Sequence, residues 1–418
     1  MIFKTTQNIV FKYFISLFVF DTLVFFILEF IFNNLFASIP YYRLAIILFT
    51  FIFFTPTFLL KKQNLVRRKI KNQDYIVIIW CLISIIEFIH GFLIGNPRIY
   101  LFADFIYIIF GVYIYFMLSN NILENNENIY NLENFGKLLI LFFILFYFVN
   151  GFFSENFYFI SLSLTYVFLI KRKYLLALFL LIPFLIQIKY SNRALLICFI
   201  STIIFYFIFK MSLFLNKRGR ILMLTFISFF LVFFHQEFLI VLIKLVPENS
   251  DLYFRIQQLL DVIEKGIDFG DPRHVSIAQR LVEAKVVISI WVKNIFTFIF
   301  GSGLGAVIDG NLFIDSSVTK TALLGAKSIH NIHLLPFALI HKYGLLGLIL
   351  FFILVIEFLN SIKNILKKNQ NIIFVFWNLT YVLIFVYSLP AASFLWTSSL
   401  FWITLSMKRN SLYVKNKI

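Results

Sequence analysis

His330 and Asn331 open the stretch Ser328-Ile329-His330-Asn331-Ile332-His333-Leu334-Leu335, which runs on to Lys342-Tyr343-Gly344-Leu345-Leu346-Gly347. Imidazole titrates close to neutral pH, so a neutral His330 at this polar-to-apolar boundary is a candidate general base. The bland reading makes Asn331 the N-cap of a helix and leaves His330 solvated. His333 follows at helical spacing, which places both rings on roughly one face. A metal pair is conceivable there, but no third ligand is apparent and none is expected. The segment should begin as a short amphipathic half-helix, break at a glycine and continue as a membrane span.

Four arginines, two of them secondary, supply the complementary charge. Arg193 ends the polar turn Tyr190-Ser191-Asn192-Arg193 between two apolar runs, beside the small Ala194. Such an arginine either snorkels to the membrane surface or meets an anion. Arg280 precedes Leu281-Val282-Glu283-Ala284. Its bland alternative is a surface ion pair with Glu283 at i+3, worth only about 0.2–0.5 kcal/mol. A guanidinium suits a diphosphate because its planar fork donates two parallel hydrogen bonds and stays charged. Arg273 and Arg255 are secondary candidates of the same kind. Gly301-Ser302-Gly303-Leu304-Gly305 is most simply a flexible turn whose backbone N–H groups can meet an anion. The acids Asp21, Glu29, Glu87, Asp104, Glu237 and Glu357 are scattered through apolar runs without a shared motif, and structural pairing is the expectation.

The elements that must hold these residues are membrane helices. With 61% hydrophobic residues, 20% aromatics and a mean hydropathy of +0.91, the chain is not a soluble globular protein. We expect an all-α, polytopic integral membrane protein forming one membrane domain over residues 1–418. Twelve apolar runs read as spans, at roughly 10–33, 42–60, 74–94, 99–119, 137–153, 157–170, 174–188, 194–210, 221–245, 344–360, 371–389 and 391–407. The first 30 residues do not resemble a cleaved signal peptide, because the apolar run is too long and contains Asp21 and Glu29. Cys81 and Cys198 lie in apolar runs without a CxxC pattern and read as packing residues.

Basic residues orient the spans. Lys61, Lys62, Arg67, Arg68, Lys69, Lys171, Arg172, Lys173, Lys217, Arg218, Lys367, Lys368, Lys408 and Arg409 are among those that fall on the side of both termini. Only Arg43, Arg98, Lys189 and Arg193 occupy the opposite short loops. Both termini are therefore expected in the cytoplasm. The net charge of +17 reads as anchoring against anionic lipid rather than as a nucleic-acid surface. Residues 246–343 form the one large polar insertion, on the extracytoplasmic side. It should hold a helix over 252–265, a Gly-rich turn over 266–272 and a helix from Ser276 onward. The apolar run 284–300 is nearly long enough to span, but counting it so would move the basic C-terminus outside, and Lys285 and Lys293 interrupt it. An interfacial helix is the better reading.

Taken together, the turn around Arg193, the run from Arg280 through Trp291 to Gly305, and the His330 segment with its distal Gly344-Leu345-Leu346-Gly347 resemble the O-antigen polymerase and O-antigen ligase superfamily of bacterial glycan assembly. Their order, the large outside loop and the number of spans are similar as well. One departure is that His341-Lys342-Tyr343 stands where an acidic residue often precedes the second-helix glycine. The resemblance implies a metal-independent, inverting glycosyltransferase of the membrane GT-C class, without a cofactor, in the bacterial cytoplasmic membrane. Its donor would be a glycan on undecaprenyl diphosphate, and a chain-length regulator protein is a candidate partner. Arg193 and Arg280 would bind the diphosphate, with Asn331 and Arg273 as further substrate contacts, and His330 would take the proton of the attacking hydroxyl. Polymerase is favoured over ligase by family analogy, since the two differ only in the acceptor. A flippase for lipid-linked glycans is the rival from another class, although paired repeats and broken midplane helices are not evident.

Overall fold

The computed structural model describes residues 12–13, 16–17, 19–20, 24, 27, 44–55, 71–119, 128–150, 155–188, 193–214, 219, 237, 240, 243–244, 248, 251–268, 274–309, 328–367 and 371–415. Helices account for nearly all of them. The first is α1 (Leu44–Thr55). Then come α2 (Asn72–Ile94), α3 (Arg98–Ser119), α4 (Asn128–Asn150), α5 (Glu155–Ile170), α6 (Tyr174–Ile188) and α7 (Arg193–Phe214). Beyond these lie α8 (Asp251–Lys265), α9 (Val275–Trp291), α10 (Ile295–Phe300), α11 (Leu335–Ile365), α12 (Ile372–Ser388), α13 (Ser393–Thr397) and α14 (Ser399–Lys415). A two-stranded antiparallel ladder, β1 (Ile308–Asp309) with β2 (Ser328–Ile329), completes the described elements.

Among the described residues, four stretches are long and apolar enough to cross a membrane: Asn72–Ile94, Arg98–Ser119, Ala194–Met211 and Leu335–Ile365. Leu44–Thr55, Glu155–Ile170 and Ile372–Ser388 are shorter apolar helices. The protein is thus a helical membrane protein, in which each helix satisfies its own backbone hydrogen bonds. The runs at 10–33 and 221–245 lie outside the described residues except at isolated positions.

Burial separates interior helices from those at the rim. α12 is buried without interruption from Ile373 to Phe385, and α5 from Asn156 to Phe168. Helices that are apolar on all sides belong in the middle of the bundle. α2 is two-faced instead. Ile76, Val77, Trp80, Ile83, Ser84, Glu87 and Gly91 point inward at three- and four-residue spacing, whereas Leu82, Ile86, Ile89 and Leu93 are exposed. An exposed stripe this apolar suits lipid contact, not water. α2 packs on α3 and α11, α3 on α14, and α11 on α12.

Of the scattered acids, Asp104 and Glu357 are paired with lysines and Glu87 meets His90 at 3.0 Å, whereas Asp21 and Glu29 lie outside the described residues. Arg409 Nε donates to both oxygens of Asp74 at 2.6 and 2.7 Å, and the Tyr115 hydroxyl donates to Asp74 at 2.8 Å. Lys408 Nζ meets Glu357 at 2.5 Å and lies over the Tyr381 ring. This corrects the place of Lys408 and Arg409 in the charge pattern. Both are buried and held by acids on α2 and α11, so neither reaches a lipid headgroup.

Two expected helices are each divided. The run 284–300 ends as α9 at Trp291 and resumes as α10 after Asn294, whose Oδ1 accepts the Thr297 N–H at 2.8 Å. Trp291 Nε1 donates to the Phe298 carbonyl at 2.8 Å and the two rings stack, so the chain doubles back as a hairpin packed against α11. The run 391–407 is broken at Ser398, which is extended and whose hydroxyl bonds Asn156 at 3.0 Å. Two polar side chains thereby replace one continuous backbone ladder. By contrast, α11 follows its expected course. It bends at Gly344, where φ is 58° and ψ is −136°, a conformation that glycine alone adopts at little cost.

Candidate functional site

His330 is placed by the ladder. Pairing of Ile308 with Ile329 and of Asp309 with Ser328 brings the chain after β2 alongside the chain before β1, and His330 Nδ1 lies 3.0 Å from the Ala306 carbonyl oxygen. A carbonyl oxygen only accepts, so the hydrogen sits on Nδ1 and Nε2 is the basic atom of the neutral ring. The ring lies flat against Tyr100, with centroids 4.3 Å apart and planes 11° from parallel. Nε2 is 3.4 Å from Asp104 Oδ1, and the side chain is 11% exposed. Tyr100 and Asp104 are one turn apart on α3 and so share a face.

Asp104 is the hub of this end of the bundle. Lys342 Nζ reaches both carboxylate oxygens at 2.7 Å, and the Gly305 N–H donates to Oδ2 at 3.1 Å. Asp104 and Lys342 are both buried, and the ammonium also lies over the Trp396 ring at 4.9 Å. Sequence reasoning missed this grouping. It had noted Asp104 only among scattered acids and Lys342 only as a departure from a family pattern. The available signal was one opposite charge in each of two long apolar runs, which demands a partner.

The glycine turn differs from its expected form. Gly301, Gly303, Leu304 and Gly305 are buried, and their N–H groups are already bonded or closely packed. Gly301 N–H goes to Thr297 O, Ser302 N–H to His341 O at 2.7 Å, Leu304 N–H to Glu87 O at 3.1 Å and Gly305 N–H to Asp104. Asn96 Nδ2 clamps the turn from outside through the carbonyls of Ser302 and Leu304. The turn is a wedge between α2, α3 and α11, and it has no open nest of N–H groups for an anion.

The start of α11 also corrects the simplest reading of Asn331. The helix begins at Leu335 with Leu334 as N-cap and Pro336 in its first turn, so Asn331 caps nothing and is exposed. Residues 331–334 are not helical, and His330 and His333 therefore do not share a helix face. His333 instead turns to α9, where the fully buried Glu283 accepts its backbone N–H at 3.0 Å and its Nδ1 at 2.9 Å. Gln279 Nε2 donates to the same carboxylate at 3.1 Å.

His333 and Gln279 occupy Glu283, and the bland alternative of a surface ion pair with Arg280 is not seen among the described residues. Arg280 Nη1 instead donates to the Ser276 carbonyl at 2.9 Å and to its hydroxyl at 2.5 Å, one turn back. Among the described residues its Nε has no hydrogen-bond partner, although the side chain is half-buried. Burial lowers the guanidinium from its ordinary range, opposed by the nearby Glu283 charge. An arginine with donor capacity left over and no carboxylate of its own is equipped to hold an anion. Arg193 is the first residue of α7, at the expected helix start, but its side chain lies outside the described residues. The same holds for the side chain of Arg255 on α8, and Arg273 lies outside them altogether.

His330 and Arg280 thus stand three residues before the two ends of a single link, His333 to Glu283. The arrangement offers one basic ring nitrogen and one cationic fork on elements fastened to each other. No protein-family model matches this chain, and comparison with the curated proteins finds no match.

Proposed function

We propose that this chain is a membrane glycosyltransferase of the O-antigen polymerase and ligase type, joining undecaprenyl-diphosphate-linked repeat units into a surface polysaccharide. The observation that supports the reading is that one link, His333 to Glu283, joins the segment carrying His330 to the helix carrying Arg280. His330 keeps Nε2 basic because its Nδ1 hydrogen is held by Ala306, and Arg280 has, among the described residues, an unbonded Nε and no hydrogen-bonded carboxylate. Under this reading the chain crosses the bacterial cytoplasmic membrane twelve times, with residues 246–343 on the extracytoplasmic side and both termini inside.

The transfer runs as a single displacement. The acceptor sugar hydroxyl attacks the anomeric carbon of the donor glycan, and its proton passes to His330 Nε2. The new C–O bond forms as the bond from the anomeric carbon to the diphosphate breaks, which inverts that carbon. The leaving lipid diphosphate gains charge, which Arg280 and Arg193 stabilise more in the transition state than in the bound donor. Asn331, exposed beside His330, and Arg273 are further substrate contacts in this scheme.

The test uses the purified chain in lipid nanodiscs with undecaprenyl-diphosphate-linked repeat units. Wild type should lengthen the glycan, and His330→Ala should slow transfer by about 10²–10⁴. Transfer only to an added lipid A core acceptor would identify a ligase. Movement of the donor across the bilayer without glycan lengthening would replace the enzyme with a flippase.

A further inference from the structure

Asp104 faces the basic nitrogen of His330, yet the transfer scheme gives it no part. Both of its oxygens hold Lys342, and one also holds the Gly305 N–H. A carboxylate in apolar surroundings that served only to neutralise Lys342 would have no reason to lie 3.4 Å from a histidine whose other nitrogen is fixed. The tautomer makes the point sharper. With Nδ1–H committed to Ala306, Nε2 can bond Asp104 only after it has gained a proton. The carboxylate therefore favours the imidazolium, the species that exists after His330 has taken the acceptor proton.

We infer that Asp104 is the positioning residue of His330, receiving the ring once it is protonated, and that Lys342 limits how strongly it does so. This rests on the proposed base role of His330. Lys342 keeps the carboxylate from drawing a proton onto His330 before substrate arrives, and Asp104 lowers the cost of the imidazolium when it forms. Away from bulk water, charges at such separations act directly on the protonation of the ring. Among the described residues, Tyr100 on α3 stacks on the ring, His341 stands next to Lys342 on α11, and α9 is joined to the segment through Glu283 to His333.

The variants give opposite signs. Lys342→Met leaves Asp104 unopposed beside His330, so protonation becomes easier and its midpoint rises. Asp104→Asn combined with Lys342→Met removes both charges together, leaving neither buried alone. The ring then loses its nearer, negative partner and protonates only at lower pH. The measurement labels histidine Cε1 with 13C in the full chain in nanodiscs and follows the NMR shifts with pH. Among the six histidines, the signal missing from His330→Ala is that of His330.

We expect the midpoint to fall by about one pH unit in the double variant and to rise by a similar amount in Lys342→Met. The acid limb of the pH–rate profile for transfer should move the same way. A midpoint unchanged in either variant overturns the assignment of Asp104, even where His330→Ala abolishes transfer. Full transfer by His330→Ala would instead remove the base role itself, a result the titration alone cannot mimic.

Discussion

Glu283 and His333 join α9 to the entry of α11 through two contacts on one residue, backbone N–H at 3.0 Å and ring Nδ1 at 2.9 Å. The double contact fixes both the position and the rotation of the chain just beyond His330. Arg280, one turn before Glu283, is carried on the same rigid helix. Mutual placement of His330 and Arg280 therefore depends on a buried carboxylate.

Glu283→Gln tests that dependence. Glutamine keeps the shape but offers one acceptor oxygen to three donors, and turns an NH2 group toward the rest. We expect a loss of about 1–3 kcal/mol, read as a lower midpoint of thermal unfolding, with slower transfer. An unchanged unfolding temperature would show that His333 finds another acceptor.

Arg280→Lys should reduce transfer about tenfold and Arg280→Ala about a hundredfold or more, with protein abundance unaltered. Lysine retains the charge, but as a point rather than a fork. If Arg280→Ala transfers glycan at the wild-type rate, the residue serves only to bond Ser276 within α9.

Gly301 and Gly344 interlock. A Cβ on Gly344 would come 2.4 Å from Gly301 N, and a Cβ on Gly301 would come 2.5 Å from Gly344 N, both at positive φ. Gly95 also has positive φ but faces open space. Alanine at 95 should cost only the backbone strain of about 1–2 kcal/mol, whereas alanine at 301 or 344 should cost distinctly more and abolish transfer. Comparing the three unfolding temperatures checks the ranking, and equal shifts would refute the interlock.

Single cysteines in a background lacking Cys81 and Cys198 report the membrane sides. An impermeant thiol reagent applied to intact cells should modify positions 268 and 316 and spare positions 218 and 367. Modification at 367 would reverse the proposed orientation.

What was legible in the sequence was whatever depends on local pattern. The span over 74–94, the helix over 252–265 and the bend at Gly344 each follow from one run of residues, and each appears in the structure. The pairing of Asp104 with Lys342 joins residues far apart in the chain, and no periodicity within either helix announces it. The ladder of β1 and β2 was hidden for a similar reason, since two residues per strand are too few to show alternation. Asn331 misled because a polar residue before an apolar run looks like a cap, while the helix is started by Pro336 nearer its first turn.

That small ladder has a consequence for how such a protein can diversify. Ile308 and Ile329 clamp the two ends of the intervening stretch 310–327 at neighbouring points, directly beside the Ala306 to His330 hydrogen bond. Lengthening a closed loop costs only about 0.6 kcal/mol per doubling. Insertions, deletions and wholesale replacement between the clamps can therefore be absorbed without disturbing the histidine. The clamp thus holds His330 in one place whatever length of chain joins the two strands.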